Sequence, residues 1–354
     1  MGISISQEWK DCMMQVLSKP YRPHIVFVVG VPDVGKTTFC CALANIAIEH
    51  GLTTMVVDAD IGQSSIGPPT TIGLGRVRNK IERLSDAEFV AGFFVGHISP
   101  MGHLLPTVIG TKLMIDKAVS NGADIVIVDT TGLVRGAIGR ELKWNKVRLI
   151  KPQSLIAIER GNELAHLLVP LRRLEWLQIY RVSASDAAVQ RDRGLRKLHR
   201  ESKFKQFFEG AREVELSLES VALLGTWLGC GTPAHPSFVA HLSEIADAEI
   251  AHAERCDNVG VLVTAERISE DAMRWIASRW GVDEIVTISL EQISGLVVGL
   301  HDGNGEFLSI GVLLAYDGSS RKLRVLMPSS VNPSDVALLV FGKHRISTEG
   351  TELT

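Results

Sequence analysis

A chain of 354 residues is long for one hydrophobic core, so two domains are expected. With 45% hydrophobic and 22% charged residues it has the composition of a soluble globular protein, and its formal net charge of -3 excludes a uniformly basic surface. No apolar run is long enough to span a bilayer and the polar first eight residues carry no secretory pattern, so the expectation is a cytoplasmic protein with no membrane contact. Cys12, Cys40, Cys41, Cys230 and Cys256 form no Cys-x-x-Cys pair, which argues against a zinc site or a disulfide framework.

Residues 4–18 place Trp9, Met13, Val16 and Leu17 at helical spacing, predicting a short docking helix within an N-terminal segment 1–20. From residue 24 to about 183, apolar runs at 24–29, 54–57, 89–95, 125–128, 155–158 and 176–179 predict strands. Helical stretches at 39–50, 104–121 and 163–171 separate several of them. The alternation predicts an α/β fold, a mainly parallel sheet flanked by helices. Residues 184–212 then gather Arg191, Arg193, Arg196, Lys197, Arg200, Lys203, Lys205 and Arg212 in a helical pattern with few acids. Beyond them, turn signals at 302–305 and 317–320 between alternating strands predict a smaller β-rich domain over 215–354, leaving 21–214 as the first domain.

Three motifs fall at or just after predicted strand ends, where such sheets bind ligands. Gly30, Val31, Pro32, Asp33, Val34, Gly35, Lys36, Thr37 and Thr38 spell a complete phosphate loop between a strand and a helix. Its backbone N–H groups would face phosphate oxygens, Lys36 would reach the β- and γ-phosphates, and Thr37 would hold Mg²⁺. This predicts a nucleoside-triphosphate site. After the second strand, Asp58 reads as a turn former, whereas Asp60, backed by Gly62 and Gln63, is placed to accept a proton or to help hold Mg²⁺. The fourth predicted strand, at 125–128, ends in Asp129-Thr130-Thr131-Gly132, the second acidic motif of a phosphate-loop enzyme. A GTPase would need Asn-Lys-x-Asp on a later strand, and Asn145-Lys146 is followed by Val147 and Arg148.

In this order, the phosphate loop, Asp58-x-Asp60-x-Gly62-Gln63, Gly96-His97-Ile-Ser99-Pro100, Thr130-x-Gly132 and the arginine-rich segment resemble the polynucleotide 5′-hydroxyl kinases. That family includes the kinase subunit of the pre-mRNA cleavage factor and ribosomal-RNA-processing kinases. The likeness runs from residue 24 nearly to the C-terminus, and the short N-terminal helix fits a prokaryotic-type member. The resemblance implies an ATP- and Mg²⁺-dependent transfer to the 5′-hydroxyl end of single-stranded RNA or DNA. It implies Asp60 as catalytic base and metal-side carboxylate, Lys36 and Thr37 as above, and Thr130 and Gly132 as a clasp on the acceptor. It further places Gln63 and His97 along the same cleft, with Arg191, Arg193 and Arg196 as catalytic candidates on a lid over the triphosphate. Relatives often carry Trp after the clasp, where this chain has Leu133, which has no face for a base to stack on.

Two other readings fit a phosphate loop. One is a nucleotide-switched assembly factor in RNA processing, which would hydrolyse ATP without labelling any nucleic-acid end. The other is a small-metabolite kinase, whose turnover an oligonucleotide would not stimulate.

Overall fold

The computed structural model describes residues 5–185 and 192–353, and the chain divides into two compact units, Met1–Lys203 and Phe204–Thr354. In the first, α1 (Gln7–Leu17) precedes β1 (His24–Val29), α2 (Lys36–Glu49), β2 (Thr54–Ala59), β3 (Thr71–Val77), β4 (Glu88–Phe94) and α3 (Leu104–Ser120). There follow β5 (Ile125–Thr130), α4 (Gly136–Ile150), β6 (Ser154–Glu159), α5 (Ala165–Leu171), β7 (Gln178–Ser183) and α6 (Arg193–Phe207), which crosses into the second unit. The sheet order is β4-β3-β2-β5-β1-β6-β7. The five strands β2, β5, β1, β6 and β7 run parallel, and β3 and β4 add an antiparallel edge. Strands β2, β5 and β6 are buried along their whole length, as expected where helices cover both faces of a parallel sheet.

Helix α1 forms where its apolar spacing predicted, with the Ser6 hydroxyl capping it by accepting from Trp9 N–H. Trp9, Met13, Val16 and Leu17 are all buried. Trp9 meets Phe39 of α2 edge-on at 5.2 Å between ring centroids, and its indole N–H donates to the Ser183 carbonyl at 2.8 Å. The ring lies close enough that a Cβ on Gly35 would come within 3.0 Å of it, so α1 braces the phosphate loop from behind. Trp9→Ala is expected to cost about 3–5 kcal/mol, read by denaturant unfolding, with reduced nucleotide affinity in the fraction still folded.

In the second unit, β8 (Arg212–Ser217), β9 (Ala222–Leu224) and β10 (Thr232–Pro233) lead to α7 (Pro236–Ala246), β11 (Ile250–Cys256), β12 (Val259–Thr264), α8 (Glu270–Trp280) and β13 (Glu284–Ser289). After α9 (Leu290–Ile293) come β14 (Leu296–His301), β15 (Phe307–Asp317), β16 (Lys322–Met327), β17 (Leu338–Ile346) and β18 (Glu352–Leu353). One sheet runs β18-β17-β14-β15-β16-β8, with β9 paired to β17. A four-stranded sheet, β10-β11-β12-β13, packs α7 and α8 over a core of its own that includes Leu242, Ala253, Leu262 and Ile276. The division lies inside α6, upstream of the expected boundary near residue 215. Phe204 is fully buried and stacks on His344 of β17, so the end of the helix belongs with the C-terminal sheet.

Candidate active site

The phosphate loop turns at Asp33 (φ 57°) and Gly35 (φ 95°), and Gly35 occupies the N-cap of α2 in a left-handed conformation that glycine adopts without strain. Lys36 is buried, its ammonium donating to the Val31 carbonyl at 2.9 Å, so the side chain curls over its own loop. The Thr37 hydroxyl donates to Asp129 Oδ2 at 2.6 Å. Asp129 and Asp58 are register partners on adjacent parallel strands, which puts both carboxyls on the face that carries Thr37.

Two close approaches tie the other motifs together. A Cβ on Gly132 would lie 2.7 Å from the nitrogen of Pro32, and one on Gly62 would lie 2.6 Å from the Ile98 carbonyl. The segment containing Thr131 and Gly132 therefore rests on the phosphate loop, and the Asp60–Gln63 turn rests on the His97 loop. Asp60 Oδ1 accepts from the backbone N–H groups of Gly62 and Gln63, both at 3.2 Å, and its own N–H donates to Asp58 Oδ1 at 3.0 Å. His97 stacks on His103 at 4.5 Å, and its Nδ1 accepts from the Ser99 N–H at 3.0 Å.

From α6, Arg196 reaches Asp33 Oδ2 at 2.6 Å, while the Gln63 amide donates to the Arg196 carbonyl at 3.2 Å. Arg193 is exposed in the first turn of α6, and Arg191 lies outside the described residues. Of the lid candidates Arg193 and Arg196, it is Arg196 that touches the phosphate loop. Thr130 is fully buried, its hydroxyl donating to the Val28 carbonyl at 2.7 Å and accepting from the Lys143 ammonium at 2.8 Å. Its side chain is thus committed within the fold.

Residues 30–210 match the family described as mRNA cleavage and polyadenylation factor CLP1 P-loop. The chain is 30% identical over 334 residues to a polyribonucleotide 5′-hydroxyl-kinase of Pyrococcus abyssi, covering 94% of this chain and 90% of that one. A protein of the same description from Thermococcus kodakarensis is 31% identical over 341 residues, covering 96% and 93%. The chain belongs to the CLP1 P-loop family. The solved Clp1p–Pcf11p complex is similar with a TM-score of 0.64 at 12% identity, over 95% of this chain and 78% of that one, a likeness of fold.

Within this CLP1 P-loop site the charge is denser than the motifs alone indicate. Lys143 and Lys146 of α4 are fully buried. Lys143 spans the loop after β5, donating to the Thr130 hydroxyl and to the Thr131 carbonyl at 2.6 Å. The Lys146 ammonium has no hydrogen-bond partner; burial brings its pKa down to about 7 against the pull of Asp60 and Asp58. Lys203 of α6 donates to the Ser64 carbonyl. Gly139, Leu142, Lys143, Lys146, Val147 and Ile150 form one buried face of α4, in which two core positions are charged. A lysine at a core position needs an anionic reason to be there.

Burial first, and then the neighbouring Asp129, pushes the Asp58 carboxyl up to about 7, although three backbone N–H groups, of Asp60, Ser65 and Ile66, favour its ionised form. Asp58 is therefore a buried member of the site and not a simple turn former. Its folded pKa is raised, so the stability it contributes is fully present below about pH 4 and is lost as pH rises through about 7. Thermal melts without nucleotide should find Asp58→Asn less stable than the wild type at pH 5, with the gap narrowing by pH 8. A gap independent of pH would contradict the raised pKa.

Proposed function

We propose that this chain is an ATP-dependent polynucleotide kinase that moves the γ-phosphoryl group to the 5′-hydroxyl of a single-stranded nucleic-acid end. The observation that carries the reading is the packing of the segment containing Thr131 and Gly132, which we assign to the acceptor, on the phosphate loop at Pro32, with the arginine-bearing helix α6 reaching that loop through Arg196 and Asp33. Family membership and the polyribonucleotide 5′-hydroxyl-kinase activity of its relatives in Pyrococcus abyssi and Thermococcus kodakarensis support it.

In the reaction, Asp60 takes the proton of the 5′-hydroxyl as its oxygen attacks the γ-phosphorus. The new P–O bond forms as the bond to the β,γ-bridging oxygen breaks, leaving ADP and a 5′-phosphate. Lys36 exchanges its contact with the Val31 carbonyl for phosphate oxygens and balances charge moving toward the diphosphate. Gly132 and Gln63 border the acceptor, and His97 supports the Asp60 turn from the neighbouring loop. Arg196, released from Asp33, meets the equatorial oxygens of the transferring group, and water is excluded as α6 closes.

The residues present suit Mg²⁺. Asp129 Oδ1 is buried with no hydrogen-bond partner, and Oδ2 is joined to the Thr37 hydroxyl, giving hard oxygen donors beside the phosphate loop. Thr37 and Asp129 would hold the ion, which leaves Asp60 free to act as base instead of filling the metal role read from its motif. When bound, the ion neutralises charge on the β- and γ-phosphates. Among the described residues no helix is long and apolar enough to cross a membrane, and we place the activity in the cytoplasm, where ATP and nucleic-acid ends meet.

ATP turnover in the presence of a 5′-hydroxyl oligonucleotide, compared with the same strand already 5′-phosphorylated, separates this reading from its rivals. A kinase is stimulated only by the first. A switch ATPase responds to both or to neither, and a small-metabolite kinase to neither.

A further inference from the structure

A cavity of about 560 Å³ lies between α4 and the end of α5, wholly within the first unit. Arg140, Trp144 and Arg148 line one wall, four residues apart and therefore in a row, each about 6 Å farther along the helix axis. Pro170, Leu171 and Leu174 make the apolar wall opposite. The Arg140 guanidinium sits 4.5 Å from the centre of the Trp144 ring, and the ring's N–H donates to the Leu167 carbonyl at 3.4 Å, which fixes its edge beside the cavity that the residue lines. Glu141 also lines the space, so the two arginines leave it net positive.

The position of this cavity ties it to the acceptor loop. Helix α4 begins four residues after Gly132, and His166 of α5 bonds to the Val134 carbonyl at 2.8 Å, so α4 springs from the loop that borders the acceptor and α5 is tied to it. Leu133 beside that glycine has no π-face, and Trp144 is the first aromatic side chain after it. We infer that the groove between α4 and α5 binds the nucleotides downstream of the reacting 5′ end, one base packing on Trp144 against the Pro170–Leu171–Leu174 wall and phosphates meeting Arg140 and Arg148. The chemistry favours a single strand: an unpaired base has a flat apolar face for tryptophan or a guanidinium plane, and its flanking phosphates answer arginines in a row. None of these side chains belongs to the phosphate loop or the Asp60 turn, so the groove acts on acceptor binding and leaves the chemical step alone.

This inference rests on the kinase reading and is tested separately from it. Transfer is measured to a dinucleotide acceptor and to a single strand of about 15 nucleotides, the span of a typical extended site. Arg140→Ala/Arg148→Ala, a surface change, and Trp144→Ala should each raise KM for the long acceptor by about tenfold, leaving kcat and the dinucleotide KM unchanged. Trp144→Phe should restore most of the loss, and the double arginine variant should flatten the salt dependence of long-acceptor binding. If the arginine variant leaves KM for the long strand unchanged, as for a groove that holds a protein segment, or raises both KM values equally, the subsite is overturned while the kinase stands. Absence of transfer to either acceptor by the wild type would overturn the kinase reading and this inference with it.

Discussion

Asp60→Asn is expected to slow phosphoryl transfer by about 10² to 10⁴-fold while ATP affinity stays within about twofold of the wild type. The substitution keeps the shape of the side chain and an oxygen that can accept from the N–H groups of Gly62 and Gln63, so the turn that packs under Ile98 is preserved. What it removes is the capacity to take a proton. Lys146 and Lys203 each interact electrostatically with Asp60 and with Asp58. Single-turnover transfer of labelled phosphate gives the rate, and a fluorescent ATP analogue gives the affinity. Equal losses in both would assign Asp60 to nucleotide or metal binding, and an unchanged rate would remove it from the mechanism.

Arg196→Ala should lower kcat by about 10³ to 10⁵-fold, the range a closing arginine supplies to phosphoryl transfer, and Arg196→Lys should recover little because a point charge cannot fork across two oxygens. The alternative is that Arg196 only braces the loop through Asp33. Asp33→Asn separates the two, since it breaks the same ion pair but leaves the guanidinium free to meet the phosphate. Its kcat should stay near that of the wild type, whereas a purely structural role would make the two variants equally impaired. Arg193→Ala, altering an exposed side chain one turn away from Arg196, should cost far less than Arg196→Ala.

Much of this site was legible because its chemistry is local in sequence. The phosphate loop needs a strand, two glycines and a helix in immediate succession, and His24–Val29 and Lys36–Glu49 provide them. Helix α1 was equally open to reading, since an amphipathic stripe records its own burial. Strand β3 was not, because Gly73 and Gly75 erase the apolar signal. The reason lies across the chain: a Cβ on Gly73 would stand 2.0 Å from the Ile66 carbonyl, so the strand gives up side chains to let the loop after Asp60 lie against it. Lys143 and Lys146 were overlooked for the opposite reason. Charge on a helix usually means solvent, and only the fold shows that this face points inward to Thr130 and to the aspartates. The β-rich C-terminal domain was expected from its turns and alternating strands, whereas α7 and α8, which rest on short amphipathic stretches between strands, were not read from the sequence.

The most direct test of the account is to incubate the protein with γ-labelled ATP and a 5′-hydroxyl single strand of defined sequence, in RNA and DNA forms, and to digest the product to nucleotides. The account predicts label only on the 5′-terminal nucleotide, absent with Lys36→Ala. Label elsewhere, or ATP consumed with no label on either strand, would contradict it.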